Sequence, residues 1–138
     1  MRCPACKSPM VIVEFRDIEI DYCPECRGTW LDTGETDFLF DAAGITDYHS
    51  FLDGIISREE APSVEKKRKC PICLEKMKKV NAAGEKDSVI VDVCPAGDGI
   101  WFDHREIERL AAAVAGEKDG EGKAPALIRD LLGEVFRY

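Results

Sequence analysis

Two hydrophobic periods alternate along the chain. In Val11-Ile12-Val13-Glu14-Phe15 and Ile18-Glu19-Ile20-Asp21-Tyr22, apolar and polar positions interleave on either side of Arg16-Asp17. A period of two around a short polar break predicts a half-buried β-hairpin. Residues 77–80 and 89–93 repeat the arrangement around a loop running from Asn81 to Asp87. Elsewhere the period lengthens to that of a helix. Helices are expected from Asp32 to near Gly44, over 47–56, from Asp103 to Ala115 with Gly116 closing the last turn, and from Pro125 to Phe136. Phe51/Leu52 with Ile55/Ile56, and Leu127/Ile128 with Leu131/Leu132 and Val135/Phe136, form apolar stripes on two of them. Such stripes pack on the rest of the chain or face a second subunit or target protein. Polar residues 57–69, broken by Pro62, read as a linker, and residues 116–125 as a flexible connector.

The two hairpins belong to an internal repeat. Cys3 and Cys6 match Cys70 and Cys73 at one constant offset. Cys23, Trp30, Asp32, Glu35 and Leu39 match Cys94, Trp101, Asp103, Glu106 and Leu110 at a second offset, four residues longer. The extra residues fit the tip of the second hairpin, where insertions cost little. Each copy ends in Trp-x-Asp-x-x-Glu. An acid at the N-cap and a glutamate three residues on form a capping box, which accounts for these carboxylates without a catalytic role. Trp30 and Trp101 are expected to cover the cysteine turns as small apolar cores.

The cysteines carry the chemistry. Six of the seven lie in C-x-x-C pairs: Cys3/Cys6, Cys23/Cys26 and Cys70/Cys73; Cys94 opens a fourth turn whose second cysteine is missing. An odd count cannot pair fully into disulfides within one chain. Two C-x-x-C turns separated by a hairpin place four thiolates around a tetrahedral metal, and zinc prefers that set. Iron suits four thiolates as well, and a single C-x-x-C in isolation resembles a thiol redox motif. Here the turns come as partners, and zinc is the expected metal, two ions per chain.

Composition narrows the class. The chain has 138 residues, 45% hydrophobic and 33% charged, with a net charge of −8. That suits a small globular protein and argues against a general nucleic-acid binder. No apolar run spans a membrane, and Met1-Arg2-Cys3-Pro4 lacks the apolar stretch of a secretory leader, so a cytoplasmic protein is expected. Residues 66–79 are the exception in charge: Lys66, Lys67, Arg68, Lys69, Lys76, Lys78 and Lys79 face one acid, Glu75. They read as a solvated face, or as a local contact for DNA or RNA, although no aromatic platform is interleaved with them.

Cys-Pro-x-Cys, a hairpin, then Cys-Pro-x-Cys-x-Gly-x-Trp-Leu-Asp-x-Gly-Glu resembles the zinc-ribbon family of the transcription-factor-IIB type. Residues 3–35 carry the whole string, and residues 70–106 carry it with departures. The resemblance implies metal-stapled ribbons that bind zinc, and it leaves the role open. The main departure is that Gly97 stands where Cys26 stands in copy one. The string around Asp98 is similar to family variants with a ligand one residue later, which makes Asp98 the expected fourth donor. His104 is the alternative, and water, a partner's ligand or an empty site remain open. The expected fold is a small α+β protein of two tandem zinc ribbons, each followed by helices. Residues 1–56 and 70–116 would be the two modules, 57–69 the linker and 125–138 a C-terminal amphipathic helix. Metal ligands are expected at Cys3, Cys6, Cys23 and Cys26, and at Cys70, Cys73, Cys94 and Asp98. The expected role is a non-enzymatic adaptor for a protein partner, with self-association through the C-terminal helix as one form of it. The runner-up is a transcription-associated protein binding nucleic acid or RNA polymerase, and a third reading is a rubredoxin-like or thiol redox protein.

Overall fold

A computed structural model describes residues 1–15, 17–32, 34–36, 57–62, 66–82, 89–104, 106 and 109. Six short strands carry it: β1 (Val11–Phe15), β2 (Ile18–Tyr22), β3 (Thr29–Asp32), β4 (Lys78–Asn81), β5 (Ile90–Val93) and β6 (Gly99–Phe102). They form one antiparallel sheet in the order β1-β2-β3-β6-β5-β4. The alternation in β1 and β2 folds as a hairpin, with Val13, Ile18 and Ile20 buried and Asp17 at a left-handed φ of 68° in the turn. Asp and Asn tolerate that conformation better than most residues do.

The strand order is symmetric about its centre because the chain is duplicated. β3 and β6 are equivalent strands of the two copies, and they pair with Trp30 directly opposite Trp101. An approximate two-fold axis passes between the two indoles. Following Cα partners outward from that axis gives a single row across all six strands: Ile12, Asp21, Trp30, Trp101, Asp92 and Lys79. Directly opposed side chains share a face, so this row lies on one side of the sheet.

Two glycines admit the tryptophans. A Cβ on Gly28 would lie 2.1 Å from the Trp101 indole, and one on Gly99 would lie 2.7 Å from the Trp30 indole and 2.5 Å from the Leu31 carbonyl oxygen. Each tryptophan therefore packs on the knuckle glycine of the other copy. Trp30, Trp101, Met77 and the cysteines Cys3, Cys23, Cys70 and Cys94 form one buried cluster. The core belongs to both ribbons jointly.

This corrects the expected fold. Among the described residues helices do not follow two ribbons; those residues are mostly one six-stranded sheet, and the longest helical stretch among them is the single turn of residues 34–36. The physical reason is that the segment after each second knuckle continues as a strand before its cap. A ribbon hairpin has one apolar edge, and pairing β3 with β6 buries Leu31, Ile100 and Phe102 at once. The expected helix from Asp32 to near Gly44 lies outside the described residues beyond 36, and those over 47–56 and 125–136, with most of the one after Asp103, also fall outside them.

The capping box forms in full in copy one and by half in copy two. The Asp32 amide donates to Glu35 Oε1 at 2.9 Å while the Glu35 amide donates to Asp32 Oδ1 at 2.7 Å. In copy two the Asp103 amide donates to Glu106 Oε2 at 3.0 Å, and the Asp103 carboxylate turns instead to the Trp101 indole N–H, also at 3.0 Å.

Candidate metal centres

Four tight turns present the donors. In the first three, an amide one residue beyond the second cysteine closes back on the first: Lys7 to the Cys3 carbonyl at 3.0 Å, Arg27 to Cys23 at 2.7 Å and Leu74 to Cys70 at 2.9 Å. Lys7, Arg27 and Leu74 each take a left-handed φ of 64–68° to do so. The fourth turn closes one residue earlier. The Gly97 amide donates to the Cys94 carbonyl at 3.0 Å, with Gly97 at a φ of +86°. Only glycine adopts that conformation without strain. The shortened turn swings Asp98, which aligns with Arg27, into the space that Cys26 fills in copy one.

The donor atoms gather in two groups of four: Cys3, Cys6, Cys23 and Cys26, and Cys70, Cys73, Cys94 and Asp98. In the first, Cys3 Sγ and Cys26 Sγ are 3.5 Å apart and Cys6 Sγ and Cys23 Sγ 3.4 Å. In the second, Cys73 Sγ and Cys94 Sγ are 3.7 Å apart, and Asp98 Oδ2 lies 3.6 Å from Cys70 Sγ and 3.4 Å from Cys94 Sγ. None of the seven thiols is in a disulfide. A tetrahedron of zinc–sulfur bonds has edges of about 3.8 Å, and replacing one thiolate by a carboxylate oxygen shortens the mixed edges to about 3.6 Å. The observed separations lie within about 0.4 Å of those edges, and the two clusters fit two zinc ions. His104 is exposed and stands outside both groups.

The surroundings suit thiolates. Backbone amides of Ala5 and Cys6 donate to Cys3 Sγ at 3.3 and 3.4 Å, and the Ile72 amide donates to Cys70 Sγ at 3.4 Å. Without metal, burial pushes the Cys3 and Cys26 thiols up and the Cys70 thiol to about 12, while hydrogen bonds from Ser8 bring Cys6 down to about 6. Zinc binding must therefore release protons, and affinity falls as the pH falls.

Beside each centre lies a carboxylate cluster, and the two differ in their counter-ions. In copy two, Arg68 Nη1 reaches Asp103 at 2.6 and 2.8 Å and Asp92 at 3.2 Å, while Lys79 Nζ reaches Asp92 at 2.8 Å. Burial pushes the Asp92 carboxyl up, and those two cations oppose it. In copy one, Met1 and Ile12 stand where copy two has Arg68 and Lys79. Burial raises the Asp21 carboxyl; the Met1 amino group opposes this, and Asp32 and Glu19 add to it. Burial also lifts Glu35 and Glu106 to about 7. Sequence reasoning treated the basic run as a solvated face and missed that Lys79 is only 3% exposed. The signal was available in the register, which places Lys79 directly opposite Asp92.

Paired cysteine turns joined by a hairpin, with a third strand behind each, define a zinc-ribbon protein with two metal centres. The transcription factor zinc-finger family, whose model is the TFIIB-type zinc ribbon, matches residues 2–42 and 69–113. The chain belongs to that family, as two tandem copies. No curated protein and no solved structure matches the chain.

Proposed function

We propose that the protein is a non-enzymatic zinc-ribbon adaptor that presents its ribbon surfaces and its C-terminal apolar stripe to a protein partner. The observation that carries this reading is the closure of both centres. Each group holds four protein donors, the pattern of a structural zinc site, whereas a catalytic zinc keeps one position for water or substrate. The metal neutralises thiolate charge and staples each knuckle pair, while the chain's own residues supply the surfaces. Ile72 and Leu74 at the third knuckle are 50% and 68% exposed, which suits protein contact. Among the described residues no helix is long and apolar enough to cross a membrane.

The adaptor reading is tested by capture on the zinc-loaded full chain at low and high salt. Apolar anchors tolerate salt. Leu131→Asp or Phe136→Asp should abolish self-association or partner capture while the zinc content stays unchanged. Tight, salt-resistant binding of a defined DNA or RNA, unmoved by those substitutions, would contradict the reading.

One observation favours the runner-up, a nucleic-acid or polymerase-binding role. Pro4, Ala5 and Lys7 of the first knuckle form a groove with Lys66, Lys67, Arg68 and Lys69. Against it, Arg68 and Lys79 are held on Asp92 and Asp103, Lys67 pairs with Glu60 at 2.9 Å, and the chain as a whole is acidic. Phosphate binding there should be weak and fall steeply with salt.

Asp98 is proposed as the fourth donor of the second centre, supported by its 3.4 and 3.6 Å approaches to Cys94 and Cys70. Asp98→Ala should lower the zinc content from two ions to one, or weaken the second ion far more than His104→Ala does. The reverse ranking would transfer the role to His104.

A further inference from the structure

The two halves of the sheet are equivalent in strand order, and among the described residues their outer edges are covered differently. At the copy-two edge, a segment of the chain lies along β4: the Ala61 amide donates to the Lys79 carbonyl at 2.8 Å, and Arg58 donates to the Asn81 carbonyl at 2.5 Å. Farther along the same segment, Arg68 reaches down to Asp92 and Asp103. Among the described residues no backbone hydrogen bond falls on the outer edge of β1, the equivalent strand. Ile12, at the place of Lys79, is 67% exposed.

Charge follows the same division. On the tryptophan side of copy one, Glu14 stands opposite Glu19 and Ile12 opposite Asp21, with Asp32 and Glu35 at the end of β3. At the matching positions of copy two stand Asn81, Ile90, Lys79, Asp92, Asp103 and Glu106. Copy one thus sets five carboxylates beside an edge that no described backbone group covers, where copy two sets three, two of them bound to a guanidinium and an ammonium. The copy-two half shows what this arrangement accepts: a backbone amide on an edge-strand carbonyl, and an arginine on the two aspartates.

We infer that the outer edge of β1, with Glu14, Glu19, Asp21, Asp32 and Glu35, docks an extended arginine- or lysine-bearing segment of a partner protein. The partner's amides pair with the outward carbonyls of β1 around Ile12, as Ala61 does on Lys79. Its basic side chains, alternating along the strand, meet Asp21 and Asp32 as Arg68 meets Asp92 and Asp103. A second copy of the chain would bring five like-charged carboxylates against this surface, which disfavours β1-to-β1 pairing. The inference extends the adaptor reading to a second surface and rests on it, but the two fail separately, because one is read through Leu131 and Phe136 and the other through Glu14 and Glu19.

The test is fluorescence anisotropy with the zinc-loaded full chain and a labelled twelve-residue peptide of alternating arginine and valine. A control peptide of the same charge has proline in place of valine and cannot add to a sheet. The valine peptide should bind at least tenfold more tightly than the proline peptide. Glu14→Lys combined with Glu19→Lys, two exposed positions, should weaken it at least tenfold with the zinc content unchanged, and Leu131→Asp should leave it unchanged. Equal binding of the two peptides would overturn the strand-addition element, and binding indifferent to the glutamate changes would overturn the acidic one. Absence of binding, or dimerisation lost on Ile12→Asp, would overturn the inference as a whole.

Discussion

Stripping both zinc ions with a strong chelator is expected to unfold the sheet rather than loosen it. Cys3, Cys23, Cys70 and Cys94 are part of the same buried cluster as Trp30 and Trp101, so the metal centres and the apolar core are one body. The strands are four or five residues long, and isolated hairpins of that length are marginal in water. Structural zinc contributes about 10–16 kcal/mol in small modules, against a typical net stability of about 5–15 kcal/mol for a whole domain. Losing two ions exceeds any such margin. Far-ultraviolet circular dichroism should lose its strand signal, tryptophan emission should shift to that of exposed indole, and both should return on adding zinc. A chelated protein that keeps its sheet would show that the core stands without metal.

The second large effect is expected from a single methyl group. Gly99→Ala would place a Cβ 2.5 Å from the Leu31 carbonyl oxygen, 2.9 Å from the Asp32 Cα and 2.7 Å from the Trp30 indole. Two of those neighbours are backbone of β3, which cannot retreat without breaking its pairing with β6. The three atoms nearest a Cβ at Gly28→Ala all belong to the Trp101 indole, the first at 2.1 Å, a side chain fully buried in the shared core. Overpacking of this kind costs about 1–3 kcal/mol and more where backbone must move. A loss of about 3 kcal/mol should lower the melting temperature by roughly 10 °C. Gly99→Ala should be the worse of the two. Gly34→Ala, whose new Cβ would have, among the described residues, only Asp32 Oδ1 near it at 3.6 Å, should change stability by no more than about 0.5 kcal/mol. Equal melting temperatures for Gly34→Ala and Gly99→Ala would show that the two copies do not interlock at this point.

Local chemistry was legible in the sequence, and long-range pairing was not. Val11 to Phe15 and Ile18 to Tyr22 announce their strands by alternation, and β4 and β5 lie within one residue of the expected spans. The paired cysteine turns and the Trp-x-Asp-x-x-Glu caps depend on contacts within a few residues, and they form as the spacing suggests, save that the Asp103 carboxylate leaves its cap for the Trp101 indole. β3 and β6 escaped notice because each is four residues long, begins at or just after a knuckle glycine and ends at or just before a cap. Each also gains its new partner from the other copy, far along the chain. The glycine two residues before each tryptophan was the available clue, since a repeated small residue in front of a large one marks a close approach. The lysine run misled for a related reason. Lys79 reads as a surface residue until the register sets it opposite Asp92.

The zinc count of the unmodified, full-length chain tests the central claim most directly. Native mass spectrometry should give a single species carrying two zinc ions, one for each group of four donors. A chain that binds one ion at saturating zinc, or that holds iron in place of zinc, would contradict a protein built around two closed zinc centres.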